Sequence, residues 1–329
     1  MMLNYTNRPL IGCSAKLEEV RDEINRIAPT SAPVLIRGES GTGKDLVALE
    51  IHLRSERADG PFIKVNCGAL PDDLIESELF GCEKSAFTGA AFRKGKFEQA
   101  DKGTIFLDEI AELSMRAQAK LLQVTETPTI DRLGGQRPIP VDFRLIVATN
   151  KNLEDMIRNG GFRSDLYYRL NMDLIRTPPL RERLDDIPLL VDYYIALYVT
   201  EARRLVTGAA QQVIDLFQQY SWPGNIRELQ SVVRKTVFKG KNEVIRLEDL
   251  PFDFGQKTAA PPVTLGNYQE RMQEHSRQLV SAALQQCDGD VTQAANLLGL
   301  SRSRLYDLIK RHGLNGNSGH NGKQPGWIE

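Results

Sequence analysis

The chain has 329 residues, of which 41% are hydrophobic and 26% charged, with 42 basic against 43 acidic side chains and a formal net charge of −1. That length exceeds one average domain, so two or three folded units are expected, and the ordinary composition excludes a chain disordered as a whole. No apolar run approaches the ~18 residues that a bilayer span needs, and the start "MMLNYTNRPL" lacks a signal-peptide apolar segment, which points to a cytoplasmic protein with no membrane insertion.

In chain order, the runs "PVLIRGE", "PFIKVN", "GTIFLDE" and "FRLIVATN" each end at polar or glycine residues and are followed by amphipathic stretches. This is the βαβ pattern of a parallel sheet wrapped by helices on both faces. From about Leu180 the strands stop, and "DIPLLVDYYIALYVTEARR", "TGAAQQVIDLFQQY" and "NIRELQSVVRKTVFKG" carry helical spacing. The expected division is a short extension (1–9), an α/β subdomain (10–180), a helical lid (181–251), a Pro- and Gly-rich linker (252–268), a helical unit (269–314) and a Gly- and Asn-rich disordered tail (315–329). The cysteines Cys13, Cys67, Cys82 and Cys287 form no CxxC pair, which argues against a disulfide framework and against a zinc site.

The octapeptide "GESGTGKD" comprises Gly38, Glu39, Ser40, Gly41, Thr42, Gly43, Lys44 and Asp45. It follows a strand and opens a helix, the context a P-loop requires. Its glycines let backbone N–H groups turn inward on phosphates, the helix N-terminus adds positive potential, and Lys44 reaches the β and γ phosphates. Asp45 stands where the generic motif places a Ser or Thr for Mg²⁺. The strand "GTIFLDEI" ends in Asp108 and Glu109, a pair suited to hold a Mg²⁺ shell and polarise an attacking water, so ATP hydrolysis rather than binding alone is expected. Thr149 and Asn150 end another strand, where a polar pair either senses a γ-phosphate or caps the strand.

Taken together, "GESGTGKD", "GTIFLDEI", "ATN", "FRSDLYYRL", "PPLRER" and "WPGNIREL" in this order resemble the AAA+ ATPase module of bacterial enhancer-binding proteins, the activators of σ54-RNA polymerase. The resemblance runs from about Leu10 to Pro251, and the C-terminal helices resemble the Fis-type DNA-binding domain of the same proteins. An acidic residue after the P-loop lysine is usual in that family, so Asp45 fits.

The resemblance implies that Asp108 coordinates Mg²⁺ through water and that Glu109 orients the hydrolytic water. Asn66 is similar to the polar partner that holds this glutamate inactive until the γ-phosphate is sensed. Arg163 and Arg169 match arginines donated in trans to a neighbour's ATP, Arg227 matches the sensor arginine of the lid, and Ile11 and Gly12 match the segment lining the adenine pocket. Trans donation makes physical sense, because a guanidinium neutralises charge on the transferring phosphoryl and hydrolysis then depends on assembly. A ring, expected to be a hexamer, is thereby implied. Trp222 and Pro223 read as packing at a helix start, with Asn225 as its cap.

The stretch Ser85, Ala86, Phe87, Thr88, Gly89 and Ala90 looks like the family's GAFTGA loop, which contacts σ54 and is inserted in a helix of the ATPase domain. An apolar tip flanked by small residues can approach a partner closely, and exposing Phe87 would cost roughly 2 kcal/mol unless a partner covers it part of the time. Ser85 replaces the family's first Gly and is expected to stiffen the loop, since its Cβ restricts positive φ. Cys82 replaces a more usual His. The segment Thr129 to Pro140 looks like the insertion that couples the nucleotide site to this loop, with Gly134 and Gly135 allowing movement.

"GDVTQAANLLGLSRSRLYDLIKRHGL" reads as a helix-turn-helix in which Ala294 and Ala295 permit close crossing, Gly299 breaks the first helix and Ser301 caps the second. Arg302, Ser303 and Tyr306 are expected to face bases, with Lys310 and Arg311 near phosphates and Arg304 adding positive charge. "RQLVSAALQQ" is expected to pair two subunits over a palindromic site.

The expected function is therefore a σ54-dependent activator that binds double-stranded enhancer DNA and hydrolyses ATP with Mg²⁺ as a ring to remodel the closed complex. An ATP-modulated DNA-binding regulator acting without σ54 is the alternative, and an AAA+ unfoldase lacks support. With about eight residues before the ATPase module, the chain resembles the phage shock protein F type, for which a trans-acting inhibitor protein is the expected control.

Overall fold

The computed structural model describes residues 9–84, 92–135, 137–240, 242–251, 254, 276–277, 280–287 and 289–312. The segment 85–90, expected from the sequence to contact σ54, nearly all of the linker 252–268 and the tail 315–329 lie outside the described residues. The chain divides into two compact units, residues 1–257 and 258–329.

The first unit is built on five parallel strands: β1 (Val34–Arg37), β2 (Phe62–Asn66), β3 (Thr104–Asp108), β4 (Arg144–Thr149) and β5 (Asp173–Arg176). They lie in the order β2-β3-β4-β1-β5. The central strands are near-continuous apolar runs because both faces are covered, and alternate residues serve opposite cores. Val34, Ile36, Phe106, Ile146 and Ala148 pack under helices α1 (Ala15–Ile27) and α2 (Lys44–Leu53). Leu35, Ile105, Leu107, Leu145 and Val147 enter the other core, with α3 (Asp72–Phe80), α4 (Lys96–Gln99), α5 (Met115–Glu126), α6 (Leu153–Arg158) and α7 (Ser164–Leu170). The register brings Asn66 beside Asp108, and Arg37 beside Thr149, so the chemistry-bearing residues share one edge of the sheet.

Arg144 is fully buried and donates from Nη1 to the Ala28 carbonyl at 2.6 Å and from Nη2 to the Ile27 carbonyl at 2.9 Å. It satisfies carbonyls at the end of α1 that a helix leaves unpaired, and so ties that helix to the sheet. Burial holds its pKa below the ordinary arginine value.

Helices α8 (Ile187–Ala202), α9 (Gln211–Gln219) and α10 (Asn225–Lys239) form a separate core around Trp222. The indole donates from Nε1 to the Phe217 carbonyl at 2.7 Å and meets Phe217, Tyr220 and Phe254 with ring centroids 5.3, 4.9 and 5.7 Å away. Truncation there removes a fully buried aromatic that the surroundings cannot replace. Trp222→Ala is expected to lower stability by about 3–5 kcal/mol, read as an earlier denaturant midpoint by tryptophan-independent circular dichroism. A loss under ~1 kcal/mol would show that the lid core does not depend on it.

In the second unit, helix Val291–Leu297 is capped by Asp290, whose carboxylate accepts from the Thr292 and Gln293 amides at 2.8 and 3.2 Å. Gly299 takes φ +64° between the helices, and the Ser301 hydroxyl accepts from the Arg304 amide at 3.4 Å at the start of helix Arg302–His312. Ala294, Ala295, Leu305 and Ile309 are buried in the shared core. Arg302, Ser303, Arg304, Tyr306, Lys310 and Arg311 are all exposed, with Tyr306 at 46%. Among the described residues, no helix is long and apolar enough to cross a membrane.

Candidate functional site

A cavity of about 290 Å³ opens between the P-loop and the lid. Its wall includes Ile11, the run from Ser40 to Asp45, Asp108, Glu109, Asn150 and Arg227, residues gathered from distant parts of the sequence. Lys44 is buried, and its ammonium donates to the Gly38 and Glu39 carbonyls at 2.9 Å each. Burial lowers its pKa, while Asp108 is the strongest neighbour acting the other way. Gly41 takes φ +80° and lies so close to the lid that a Cβ would collide with the Gly224 carbonyl oxygen. The loop sequence thus serves the loop–lid approach as well as phosphate binding.

Glu109 follows the end of β3 with φ +57°, a left-handed conformation that costs roughly 1–3 kcal/mol for a residue other than glycine. Its amide donates to its neighbour, the Asp108 Oδ1, at 3.1 Å. Its carboxylate closes over Gly68, where Oε2 would sit 2.6 Å from an added Cβ, with Asn66 Oδ1 3.6 Å from the same point. Asn66 and Glu109 are therefore neighbours across Gly68. Among the described residues no hydrogen bond joins them, and Asn66 Oδ1 instead accepts from the Gly68 amide at 2.8 Å. Thr149 is fully buried behind the cavity, accepting from the Lys151 amide at 3.0 Å, whereas Asn150 reaches the wall. Asp45 pairs with Lys64 at 3.4 Å.

The lid contributes more than the sequence announces. Arg227 donates from Nη1 to the Ser40 hydroxyl at 2.7 Å. Arg181 clamps Glu39 with two bonds of 2.9 and 2.6 Å, and this partner holds the Glu39 carboxyl below its ordinary range. Asn225, read from the sequence as a helix cap, has a different task. The residue capping α10 is Gly224, whose amide donates to Glu228 at 2.9 Å. Asn225 itself is fully buried with φ +52°; it accepts from the Leu180 amide at 2.8 Å and donates to Glu39 and the Ser40 carbonyl at 3.1 Å. Its short amide can occupy the left-handed region and bond in three directions, a pairing of abilities that a cap would not need.

Arg183 and Asp186 were hidden in the charged run "RERLDD", which ordinarily reads as a solvated face. Arg183 is buried in the cavity wall, donates to the Thr42 carbonyl at 2.9 Å, and has its pKa lowered by that burial. Asp186 is also fully buried and accepts from the Cys13 and Ser14 amides at 2.7 Å and the Ser14 hydroxyl at 2.9 Å. It anchors the Ile11–Gly12 segment, and Gly12 packs so tightly on that carboxylate, at φ +144°, that no side chain fits.

Arg163 and Arg169 do not join this cavity. Arg163 forks onto Asp165 at 3.0 and 2.6 Å, and Arg169 donates to the Thr125 carbonyl at 2.6 Å. Both are carried by or cap α7, on the outside of the unit.

The described stem of the 85–90 loop follows α3 as a two-residue hairpin, Gly81–Cys82 against Arg93–Lys94, rather than as continuing helix. Leu133, from the 129–140 segment, exchanges backbone bonds with Gly81 and Glu83 at 3.0 Å. Next to it, Arg132 bonds Glu98 at 2.8 and 2.6 Å and Glu83 at 2.7 Å, and lies 4.6 Å from the Phe92 ring centroid. The 129–140 segment and the loop stem are thus joined by bonded contacts.

Residues 10–176 match the family model described as the sigma-54 interaction domain, 181–265 that of the AAA+ ATPase lid domain, and 272–312 that of the bacterial regulatory protein, Fis family. The regulatory protein AtoC of Escherichia coli is 43% identical over 92% of this chain and 67% of its own length. The nitrogen fixation protein AnfA of Azotobacter vinelandii is 42% identical over 93% of this chain and 57% of its own. Among solved structures, NtrX from Brucella abortus in complex with ADP superposes with a TM-score of 0.71 at 31% identity, covering 93% of this chain and 69% of that one. The chain accordingly spans between about half and two thirds of the length of these curated relatives.

Proposed function

We propose, since the chain belongs to the family of sigma-54-dependent transcriptional activators with an AAA+ ATPase module and a Fis-type DNA-binding domain, that ATP hydrolysis in the loop–lid cavity drives remodelling of the σ54-RNA polymerase closed complex. The carrying observation is the convergence of Lys44, Asp108, Glu109 and Arg227 on one cavity.

The wall supplies Lys44 and Arg227 for the phosphates and, in Asp45, Asp108 and Glu109, hard oxygen donors that suit Mg²⁺. Asp108, through water, would hold Mg²⁺, which would supply charge neutralisation for the phosphates. Lys44 leaves the two loop carbonyls for phosphate oxygens, and the P-loop amides complete the cradle. Glu109 takes a proton from, or orients, the attacking water, and Asn150 meets the γ-phosphate; a restraining role for Asn66 would need it to leave the Gly68 amide and bond Glu109. Arg227, linked to Ser40, reports nucleotide to the lid, while Asn225, Arg181 and Arg183 keep the lid in register with the P-loop.

Arg163 and Arg169 act on the next subunit's ATP, which requires a ring, of hexameric order. Their placement away from their own cavity supports this. The Arg302–His312 helix enters a major groove of enhancer DNA, its exposed basic residues serving phosphates and base edges.

The loop carrying Phe87 and Thr88 delivers the stroke to σ54. Thr88→Ala, assayed for phosphate release and for open complexes in parallel, is expected to keep the ATPase rate and lose open complexes. Retention of both activities would remove the loop from the coupling path.

A further inference from the structure

A polar cluster at the C-terminal end of β1 has no part in the chemistry described so far. Arg37, the last residue of β1, donates from Nη1 to Glu154 Oε1 at 2.9 Å. The Tyr167 hydroxyl donates to the same oxygen at 2.8 Å, and Asn171 donates from Nδ2 to that hydroxyl at 3.1 Å. The Arg37 guanidinium also lies 5.7 Å from the Tyr167 ring centroid. Arg37 lowers the Glu154 carboxyl to about 2, so the carboxylate is charged at any physiological pH.

Each member stands next to a different functional part. Arg37 precedes Gly38 of the P-loop and pairs in register with Thr149, and the Gly38 amide donates to the Thr149 carbonyl at 3.3 Å. The Arg37 carbonyl accepts from the Thr177 amide at 2.8 Å, and Thr177 Oγ1 lies 2.8 Å from Thr42 Oγ1 inside the P-loop. Glu154 is on α6 (Leu153–Arg158), which starts three residues after Asn150. Tyr167 lies on α7, between Arg163 at its cap and Arg169 in its last turn, and Asn171 closes that helix. Arg37 Nε and Nη2, Glu154 Oε2 and Asn171 Oδ1 are buried without a protein partner among the described residues.

We infer that Arg37, Glu154, Tyr167 and Asn171 form a relay that sets the position of the finger-bearing α7 according to the state of the P-loop and the Thr149–Asn150 strand end. They are positioning residues: none lines the cavity, and their effect falls on the neighbour's ATP. A subunit with its own site loaded would thereby present its arginines differently from an empty one. The inference rests on donation in trans as proposed above.

Mixed rings test it. Glu109→Gln subunits can donate arginines but not hydrolyse, and Arg163→Ala subunits can hydrolyse but not donate, so the mixture should recover ATPase activity absent from either alone. Tyr167→Phe added to the Glu109→Gln donor is expected to lower the recovered rate roughly tenfold, as a misplaced catalytic group does. Added to the Arg163→Ala acceptor, it should leave recovery unaltered. Glu154→Gln should show the same asymmetry. Equal loss in both placements marks a merely structural role and overturns the relay, as does no loss in either. If the parent mixture itself recovers nothing, donation in trans is refuted and the relay falls with it.

Discussion

Glu109→Gln is expected to bind ATP as tightly as the unaltered chain and to hydrolyse it roughly 10²–10⁴-fold more slowly, the usual contribution of a positioned general base. The exchange keeps shape and hydrogen-bonding reach but removes the negative charge that takes or orients the water's proton. Because the Lys44 and Arg227 contacts stay in place, affinity should not follow rate. Left-handed backbone at this residue strengthens the expectation, since the fold tolerates strain to hold that side chain over Gly68 beside Asn66. Single-turnover phosphate release, together with equilibrium binding of a fluorescent ATP analogue, separates the two quantities. Full-rate hydrolysis would place the base elsewhere.

The second large effect comes from a residue outside its own cavity. Arg163→Ala should reduce hydrolysis by about 10³-fold or more, the range found for arginine fingers, while a nucleotide bound within one subunit keeps its affinity. In the isolated subunit Arg163 makes an exposed fork with Asp165, an arrangement worth little to stability. A large kinetic loss without a fall in thermal midpoint would therefore single out charge stabilisation on a neighbour's phosphate. Arg163→Lys should rescue poorly, because an ammonium cannot reproduce the planar fork. Unchanged turnover in Arg163→Ala would leave the observed Asp165 pair as the residue's whole role.

Much of the site could be read from the chain because its parts are local. The P-loop is eight consecutive residues between a strand and a helix, and Asp108 and Glu109 close a short β-rich apolar run that reads as a buried strand. The two cores follow from alternation along β1, β3 and β4. What could not be read depends on contacts between distant segments. Asn225 looked like a cap because Asn before a helical run usually is one; its bonds to Leu180, Glu39 and Ser40 exist only once lid and loop meet. Arg183 and Asp186 were masked by their charge, since such residues are seldom fully buried unless they are paired. The strain at Glu109 has no sequence signal, as glutamate is not a residue that favours positive φ. Ser85, where the family has Gly, falls in the segment outside the described residues, so its expected stiffening of the loop is left to the activity assays.

Open-complex formation bears most directly on ATP-driven remodelling. Purified protein, σ54-RNA polymerase and a fully duplex promoter with its upstream sites would be combined with ATP or with a non-hydrolysable analogue, and strand opening followed by permanganate reactivity of unpaired thymines. Opening with ATP, and none with the analogue or with Glu109→Gln, is the predicted result. Equal opening with the analogue, or closed complexes that persist while ATP is being hydrolysed, would contradict it.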